Sequence, residues 1–298
     1  MRYFKVVFIL FLAVITINAQ SRFDKVEIKT MEIKDNLYLL QGSGGNIAIL
    51  TGEDGVLMVD SQFDGLAEKN KAAIKKLSDH SVNFLINTHW HGDHTGGNGA
   101  FSNDGATVVA HQNVRKRLSK DELIQAFSRE IKAKPKAYWP VITYSEDMQV
   151  HFNEEDIFLM HVHNAHTDGD GFVYFSKHNV LHMGDTYFQG RFPFIDLSTG
   201  GSLDGLIEAV QAAMMLCDTE TVIIPGHGSL SDKKELFTYY TMLNTMKNRL
   251  ESAIAEGKTI EEMKTMGLDK GYEEWGTGFI SSEKMIDQLW TDYNREKE

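Results

Sequence analysis

The chain has 298 residues, 42% hydrophobic and 24% charged, which is the balance of a globular protein able to bury a sizeable core and excludes a disordered one. Its formal net charge of −12 argues against nucleic acid or another polyphosphate as a partner. The densest basic cluster, "RKRLSK" at Arg115 to Lys120, reads as the solvated side of a helix.

At the N-terminus, Arg2 and Lys5 precede the apolar run Val6 to Ile17, and Ala19 follows closely. A positive start, a short apolar stretch and a small residue near the cut predict a secretory signal peptide over residues 1–19. The run is shorter than the roughly 20 residues a membrane span needs. The mature chain, residues 20–298, is thus expected to be periplasmic or secreted, with no stable membrane anchor after cleavage. Loss of Arg2 and Lys5 leaves 28 basic against 42 acidic residues, a balance of −14. Cys217 is the lone cysteine and sits in an apolar-periodic run, so core packing is its expected role and histidine and carboxylate must supply any metal ligands.

From Asn36 onward the pattern is strand-like: "NLYLLQ", "NIAILT" and "GVLMVD", separated by glycine-containing turns. "DGLAEKNKAAIKKLSD" then has helical spacing, with Leu66, Ala73, Ile74 and Leu77 on one face, and "VNFLINTH" is an apolar strand. A strand "ATVVAH", a charged helix from Val114 to about Lys134 and the aromatic-proline segment "KPKAYWP" follow. A second run of strands starts near Met148 with "MQVHF", "DIFLMHVH", "GFVYFS" and "NVLHMGD". After it come a helix "LDGLIEAVQAAMML", a strand "TVIIPGHG" entering a glycine-rich loop, and a long helix from Asp232. The tail is helical as well.

Strands followed by helices, twice over, predict an α/β sandwich of two sheets with helices on the outer faces. No linker and no tandem repeat divides the chain, so one catalytic domain is expected, with a C-terminal helical extension from about residue 231. Within that extension, Phe237, Tyr240, Met242 and Met246 recur at near-helical intervals and are read as packing on the body. "WGTGFIS" is read as a turn wrapping back over it. The sequence sets no oligomeric state.

The chemistry concentrates in "HWHGDH", where His89, His91, Asp93 and His94 fall within six residues at the end of a buried strand. His89 and His91, two apart on an extended segment, project to the same side. Crowding three imidazoles and a carboxylate without a cation is costly, and zinc suits this donor mixture. Four residues cannot close two sites, so partners are expected at later strand ends. His166 in "NAHTDGDGF", Asp185 in "HMGDTYF" and His227 in "IPGHGS" each follow an apolar strand and adjoin glycine, which permits close backbone approach. His161, His163 and His182 are read as structural or supporting groups, and His80, His111, His151 and His178 as ordinary ones. Asp168 and Asp170 are read as turn residues, with orientation of a ligand imidazole as the alternative.

In this order, "HWHGDH", "AHTDGD", "GDTYF" and "PGHG" resemble the metallo-β-lactamase superfamily, from about Asp35 to Leu230. The resemblance implies a four-layer αββα sandwich with a metal site at one edge between two mixed sheets. It further implies two Zn2+ per chain: His89, His91 and His166 on one, Asp93, His94 and His227 on the other, and Asp185 bridging. The expected reaction is hydrolysis of an amide or ester carbonyl by a metal-bound hydroxide, with Asp93 available to protonate the leaving group.

The partner is expected to be a small molecule. Lactamases with a cysteine ligand have that cysteine where Asp185 stands and commonly a lysine three residues later, whereas this chain has Phe188; the aspartate resembles hydroxyacylglutathione hydrolases and lactonases instead. Export, and the short spacing between "AHTDGD" and "GDTYF", favour a secreted lactamase. A β-lactam is therefore the leading substrate. Hydrolysis of a lactone, thioester or phosphoester is the alternative enzyme reading, and a non-catalytic metal-binding protein the alternative class. Trp90, Tyr187, Phe188, Arg191, Phe192 and Phe194 are the local candidates for substrate contact, with Arg191 able to hold a carboxylate by its fork of donors.

Overall fold

The computed structural model describes residues 22–295, so the expected signal peptide lies outside the described residues. Among the described residues no helix is long and apolar enough to cross a membrane. Four strands open the chain, each antiparallel to the one before: β1 (Lys29–Lys34), β2 (Leu37–Gln41), β3 (Ile47–Gly52) and β4 (Gly55–Val59). Helix α1 (Ala67–Ile74) crosses to β5 (Val82–Asn87), which lies parallel to β4. Two short helices, α2 (Gly92–Thr95) and α3 (Asn98–Asn103), lead to β6 (Thr107–His111) and α4 (Gln112–Leu118). A small hairpin of β7 (Glu122–Ile124) and β8 (Arg129–Ile131) precedes β9 (Ile142–Tyr144), which completes a seven-stranded mixed sheet in the order β1-β2-β3-β4-β5-β6-β9.

The second sheet has five strands in sequence order: β10 (Asp147–Phe152), β11 (Glu155–His161), β12 (Gly171–Phe175), β13 (Val180–Phe188) and β14 (Val222–His227). The last two are parallel, joined by α5 (Leu203–Leu216). Three helices close the described chain: α6 (Lys233–Ala255), α7 (Ile260–Met266) and α8 (Ser282–Arg295).

Side-chain alternation along the strands makes the layers. In the first sheet Leu37, Leu39, Ala48, Leu50, Leu57 and Val59 point to the second sheet, where they meet Ile157, Leu159, Val173, Phe175 and Ile224. Their neighbours Leu40, Ile47, Ile49, Val56 and Met58 point the other way, onto Ala73 and Ile74 of α1 and Phe101 of α3. On the far side, Leu181, Met183 and Ile223 of the second sheet pack against α5, α6 and α8 through Leu206, Val210, Leu243, Met246 and Leu289. The product is the expected αββα sandwich.

Three local readings need correction. The helix predicted from Val114 to about Lys134 stops at Leu118, and the β7–β8 hairpin follows. The reason lies in the turn chemistry: Asp121 accepts a hydrogen bond from the Ala133 amide at 2.9 Å, the Lys134 amide donates to Leu118 O at 2.8 Å, and Ser128 adopts φ 47° at the hairpin end. The strands β1 and β9 are not expected from the sequence, the first having only Met31 and Ile33 as apolar residues and the second being three residues long; they flank the first sheet and gain their order from pairing. Finally, Met242 and Met246 are fully buried as expected, but Phe237 is 59% exposed and does not pack on the body.

Candidate metal centre

All seven predicted donors converge at one edge of the sandwich, where the C-terminal ends of β5, β13 and β14 meet the loop between β11 and β12. One ligand atom from each of His89, His91, His166 and Asp185 falls within 4.8 Å of the others, and the same holds for Asp93, His94 and His227. Asp185 spans both groups: its Oδ1 is 3.0 Å from His94 Nε2 and its Oδ2 3.3 Å from His227 Nε2, 3.7 Å from His166 Nε2 and 3.8 Å from His89 Nε2. His227 Nε2 is also 3.3 Å from Asp93 Oδ2.

Four imidazoles are oriented from outside by an oxygen. His166 Nδ1 lies 2.7 Å from Phe194 O, His94 Nδ1 2.7 Å from Asp60 Oδ2, His91 Nε2 3.0 Å from Asp196 Oδ2 and His89 Nδ1 3.1 Å from Thr88 Oγ1. An outer nitrogen that donates to an acceptor leaves the inner nitrogen as a lone pair aimed at the common centre. Asp60 is itself pinned by the Thr88 amide and hydroxyl at 2.8 and 2.7 Å, and Asp196 by the hydroxyls of Ser198 and Thr199 at 2.5 and 2.7 Å. His89 Nε2 is buried without any hydrogen-bond partner, and Asp185 Oδ1, despite its nearness to His94, makes no hydrogen bond. Buried polar atoms left unpaired at the focus of five imidazoles and two carboxylates fit divalent cations of the zinc type.

Glycine makes the close approach possible. A Cβ at Gly226 would lie 1.9 Å from Asp185 Oδ1, and one at Gly45 would lie 2.1 Å from His94 Cε1. The glycine of "PGHG" therefore clears room for the bridging carboxylate on the neighbouring strand.

The electrostatics split the cluster. Burial, reinforced by the neighbouring His94, holds His89 well below the usual imidazole range, and burial beside His91 brings His166 down to about 4. Burial also lowers His94 and His227, but the carboxylates outweigh it: Asp185, Asp60 and Asp93 raise His94 well above the usual value, and Asp185 with Asp93 brings His227 up to about 9. Conversely, burial raises Asp93 and Asp185, yet the facing imidazoles win, bringing Asp93 to about 2 and Asp185 well below the usual range.

A cavity of about 440 Å³ opens over Asp93, Asp185, His91 and His227. Trp90, Phe188, Arg191, Phe192 and Phe194 all line it, as expected of substrate contacts. Phe188 stacks on His227 at 5.3 Å and Phe194 on His91 at 5.8 Å. Tyr187 does not belong there. It is 1% exposed, its hydroxyl lies 2.7 Å from Ser231 Oγ and its ring packs on Tyr239 of α6; the register of β13 against β14 shifts between Gly184 and Phe188, so Asp185 and Phe188 reach the cavity while Tyr187 sits in the helix layer.

Other histidines take the supporting roles expected of them. His182 Nε2 donates to Asn46 O at 3.2 Å, and His161 stacks on His111 at 3.7 Å outside the donor cluster. Asp170 is a turn residue that accepts from the His166 and Thr167 amides at 2.6 and 2.8 Å, so it fixes the loop backbone and not the imidazole; burial lifts it to about 7. Asp168 pairs with Arg117 at 2.7 Å. The orienting acids Asp60 and Asp196 escaped the sequence reading. Asp60 had a usable signal, a carboxylate directly after the apolar strand "GVLMV"; Asp196 had none.

A family model described as the Metallo-beta-lactamase superfamily matches residues 40–227. The chain belongs to the metallo-beta-lactamase superfamily. The superfamily includes zinc hydrolases, and the fold recurs in distant solved structures. A metallo-beta-lactamase from Pontibacter korlensis is similar with a TM-score of 0.61 at 18% identity, over 73% of this chain and 99% of that one. The DIM-1 metallo-beta-lactamase gives 0.59 at 16% identity, over 74% of this chain and 99% of that one. A sec-alkyl sulfatase variant gives 0.68 at 15% identity, over 89% of this chain but 50% of its own. As a member of the metallo-beta-lactamase superfamily, this chain carries the His/Asp metal-binding groups that fit a metallo-hydrolase.

Proposed function

We propose that this protein is a dinuclear zinc hydrolase that opens an amide or ester carbonyl, with a β-lactam as the leading substrate class. The observation that carries the reading is the convergence of seven donors around His89 Nε2 and Asp185 Oδ1, both buried and without a hydrogen bond. His89, His91 and His166 would hold one cation, Asp93, His94 and His227 the other, with Asp185 shared. Bound there, two such cations would acidify a water and polarise a carbonyl oxygen. The protein's own part is positional and protonic. Asp60, Asp196, Thr88 and the Phe194 carbonyl fix the imidazoles, Trp90, Phe188 and Phe194 exclude water from one wall, and the ionised Asp93 carboxylate, exposed to the cavity, would take the proton the attacking water gives up and hand it to the departing nitrogen or oxygen.

Hydrolysis of a lactone, thioester or phosphoester is the second reading, and Phe188 favours it. Its ring lies flat on His227, where a cation three residues after the bridging ligand would otherwise meet a lactam carboxylate. Both readings are tested with zinc-loaded protein on penicillins, carbapenems, homoserine lactones, acyl thioesters and phosphodiesters, with native mass spectrometry counting metals. Full activity in chelator-stripped protein would sink them, as would the absence of bound metal. Export belongs to the same proposal, supported by the residues before Gln20, and fractionation of the producing cell tests it.

A further inference from the structure

The cavity over the donor cluster pairs two kinds of wall. Its apolar side is aromatic: Phe127 lies 5.0 Å from both Phe194 and Phe279, and Phe279 is 66% exposed at the mouth. Large apolar groups left exposed around a concave site mark a surface that an apolar ligand covers. The other side is cationic, with Arg22, Arg129, Lys134 and Arg191 among the lining residues. Apart from Asp93 and Asp185 of the metal cluster, no carboxylate lines it.

The arginines among the described residues divide by location. Away from the cavity each is committed to oxygen: Arg115 donates to Pro140 O at 2.5 Å, Arg117 pairs with Asp168 at 2.7 Å, Arg249 donates to Leu268 O at 2.8 Å, and Arg295 pairs with Asp292 at 2.7 Å. The three at the cavity differ. Arg22 lies over the Phe23 and Phe63 rings, and neither it nor Arg129 nor Arg191 donates a side-chain hydrogen bond to any oxygen among the described residues. Lys134 Nζ likewise lies over the Tyr138 ring, at 5.4 Å, and donates no hydrogen bond among the described residues. In a protein with 42 acidic residues against 30 basic ones, a set of cations around one opening that makes no ion pair among the described residues favours negative charge there.

We propose that the substrate is an anionic amphiphile: an apolar body seated on Phe127, Phe194 and Phe279, and an oxyanion, carboxylate or sulfate, held at the mouth by Arg129 and Arg191 with Arg22 and Lys134 in support. The inference rests on the hydrolase reading only in taking this cavity as the substrate's. The anion is bound apart from the metal donors, so the charged group is a recognition handle and need not be the group that reacts.

Octanoate, octyl sulfate, octanol and octylammonium are the probes, titrated calorimetrically into the mature protein in both metal-free and zinc-loaded forms. The two anions should bind at least about tenfold tighter than octanol in both forms, since a charge-assisted hydrogen bond is worth that much. The preference should fall with added salt and disappear in the double variant Arg129→Ala, Arg191→Ala, while Arg129→Glu, Arg191→Glu should turn it toward octylammonium. A difference between octanoate and octyl sulfate names the oxyanion. An anion preference confined to the zinc-loaded form, or retained in the double alanine variant, would place the anion on the metals and overturn the proposal. So would acetate binding as tightly as octanoate. If arginine-dependent binding holds while no ester or amide is hydrolysed, the hydrolase reading fails and this one stands.

Discussion

The two donor groups start from the same loop but are held in different ways. His89, His91, His166 and Asp185 are at most 9% exposed, and each of the three imidazoles has its outer nitrogen anchored to an oxygen of the protein. Asp93 and His227 are 25% and 21% exposed and face the cavity, and His227 Nδ1 has no hydrogen bond among the described residues. The first group is the more closed and fully anchored of the two, whereas in the second only His94 is buried and anchored, by Asp60, and Asp93 and His227 trade anchorage for access to the cavity. Cations should therefore bind in two steps, the tighter at the first group.

Asp93→Ala breaks that comparison most directly. The substitution removes a donor from the open group together with the proposed proton carrier, so kcat should fall by about 10²-fold or more. Native mass spectrometry should still find one zinc per chain, held by the closed group. Loss of both metals would show that the two groups are a single cooperative unit.

A smaller effect is expected at Asp196, whose carboxylate orients the closed group through its hydrogen bond with His91. Asp196→Asn keeps the shape but weakens the acceptor for His91 Nε2, and metal affinity should drop about 10–100-fold as judged by competition with a chromogenic chelator. The second, open group should keep its affinity.

These two residues also mark how far the sequence could be read. Asp93 is legible because six residues crowd four donor side chains, and His166, Asp185 and His227 because each ends an apolar strand beside glycine. The sandwich is legible for the same reason: short continuous apolar runs bounded by glycine turns in β2, β3 and β4 and the helical period of α5 and α6 are local signals. Asp196 is illegible because its role is created by a chain reversal that brings it to His91, 105 positions away. The cavity roof is illegible too. Between residues 119 and 134 the charged sequence suits a helix, and only Asp121 and the left-handed Ser128 make it a hairpin that delivers Ile124, Phe127, Arg129 and Ile131 to the cavity.

The pH dependence of stability should separate the metal-free from the metal-loaded state. In the metal-free protein His227 titrates at about 9, above its ordinary value, so its ion pairs with Asp185 and Asp93 stabilise fully below pH 6.5 and are lost as pH rises through about 9. Metal-free Tm should thus fall across that window, with a contribution of up to about 1.4 kcal/mol per pH unit for one proton. Zinc requires the neutral imidazole, so the rise in Tm on adding a fixed zinc concentration should grow over the same window. Parallel curves for the two forms in differential scanning calorimetry would show that His227 is not a ligand.

The smallest expected effect lies behind the open group. Tyr187 adjoins Phe188 in sequence but faces the opposite side of β13, where its hydroxyl joins Ser231 Oγ at 2.7 Å and Ser231 in turn reaches Glu235 at 2.7 Å. This buried chain of hydrogen bonds ties β13 to the start of α6, just past the strand that ends in His227. Tyr187→Phe should cost about 1 kcal/mol of stability in urea unfolding, the net value of one hydrogen bond, with KM unchanged for any substrate the panel identifies. Phe188→Ala should do the reverse, raising KM severalfold with little loss of stability beyond its packing, because its ring covers His227 from the cavity side. A rise in KM for Tyr187→Phe as large as for Phe188→Ala would mean that both rings reach the substrate, against the burial of Tyr187 behind the cavity lining.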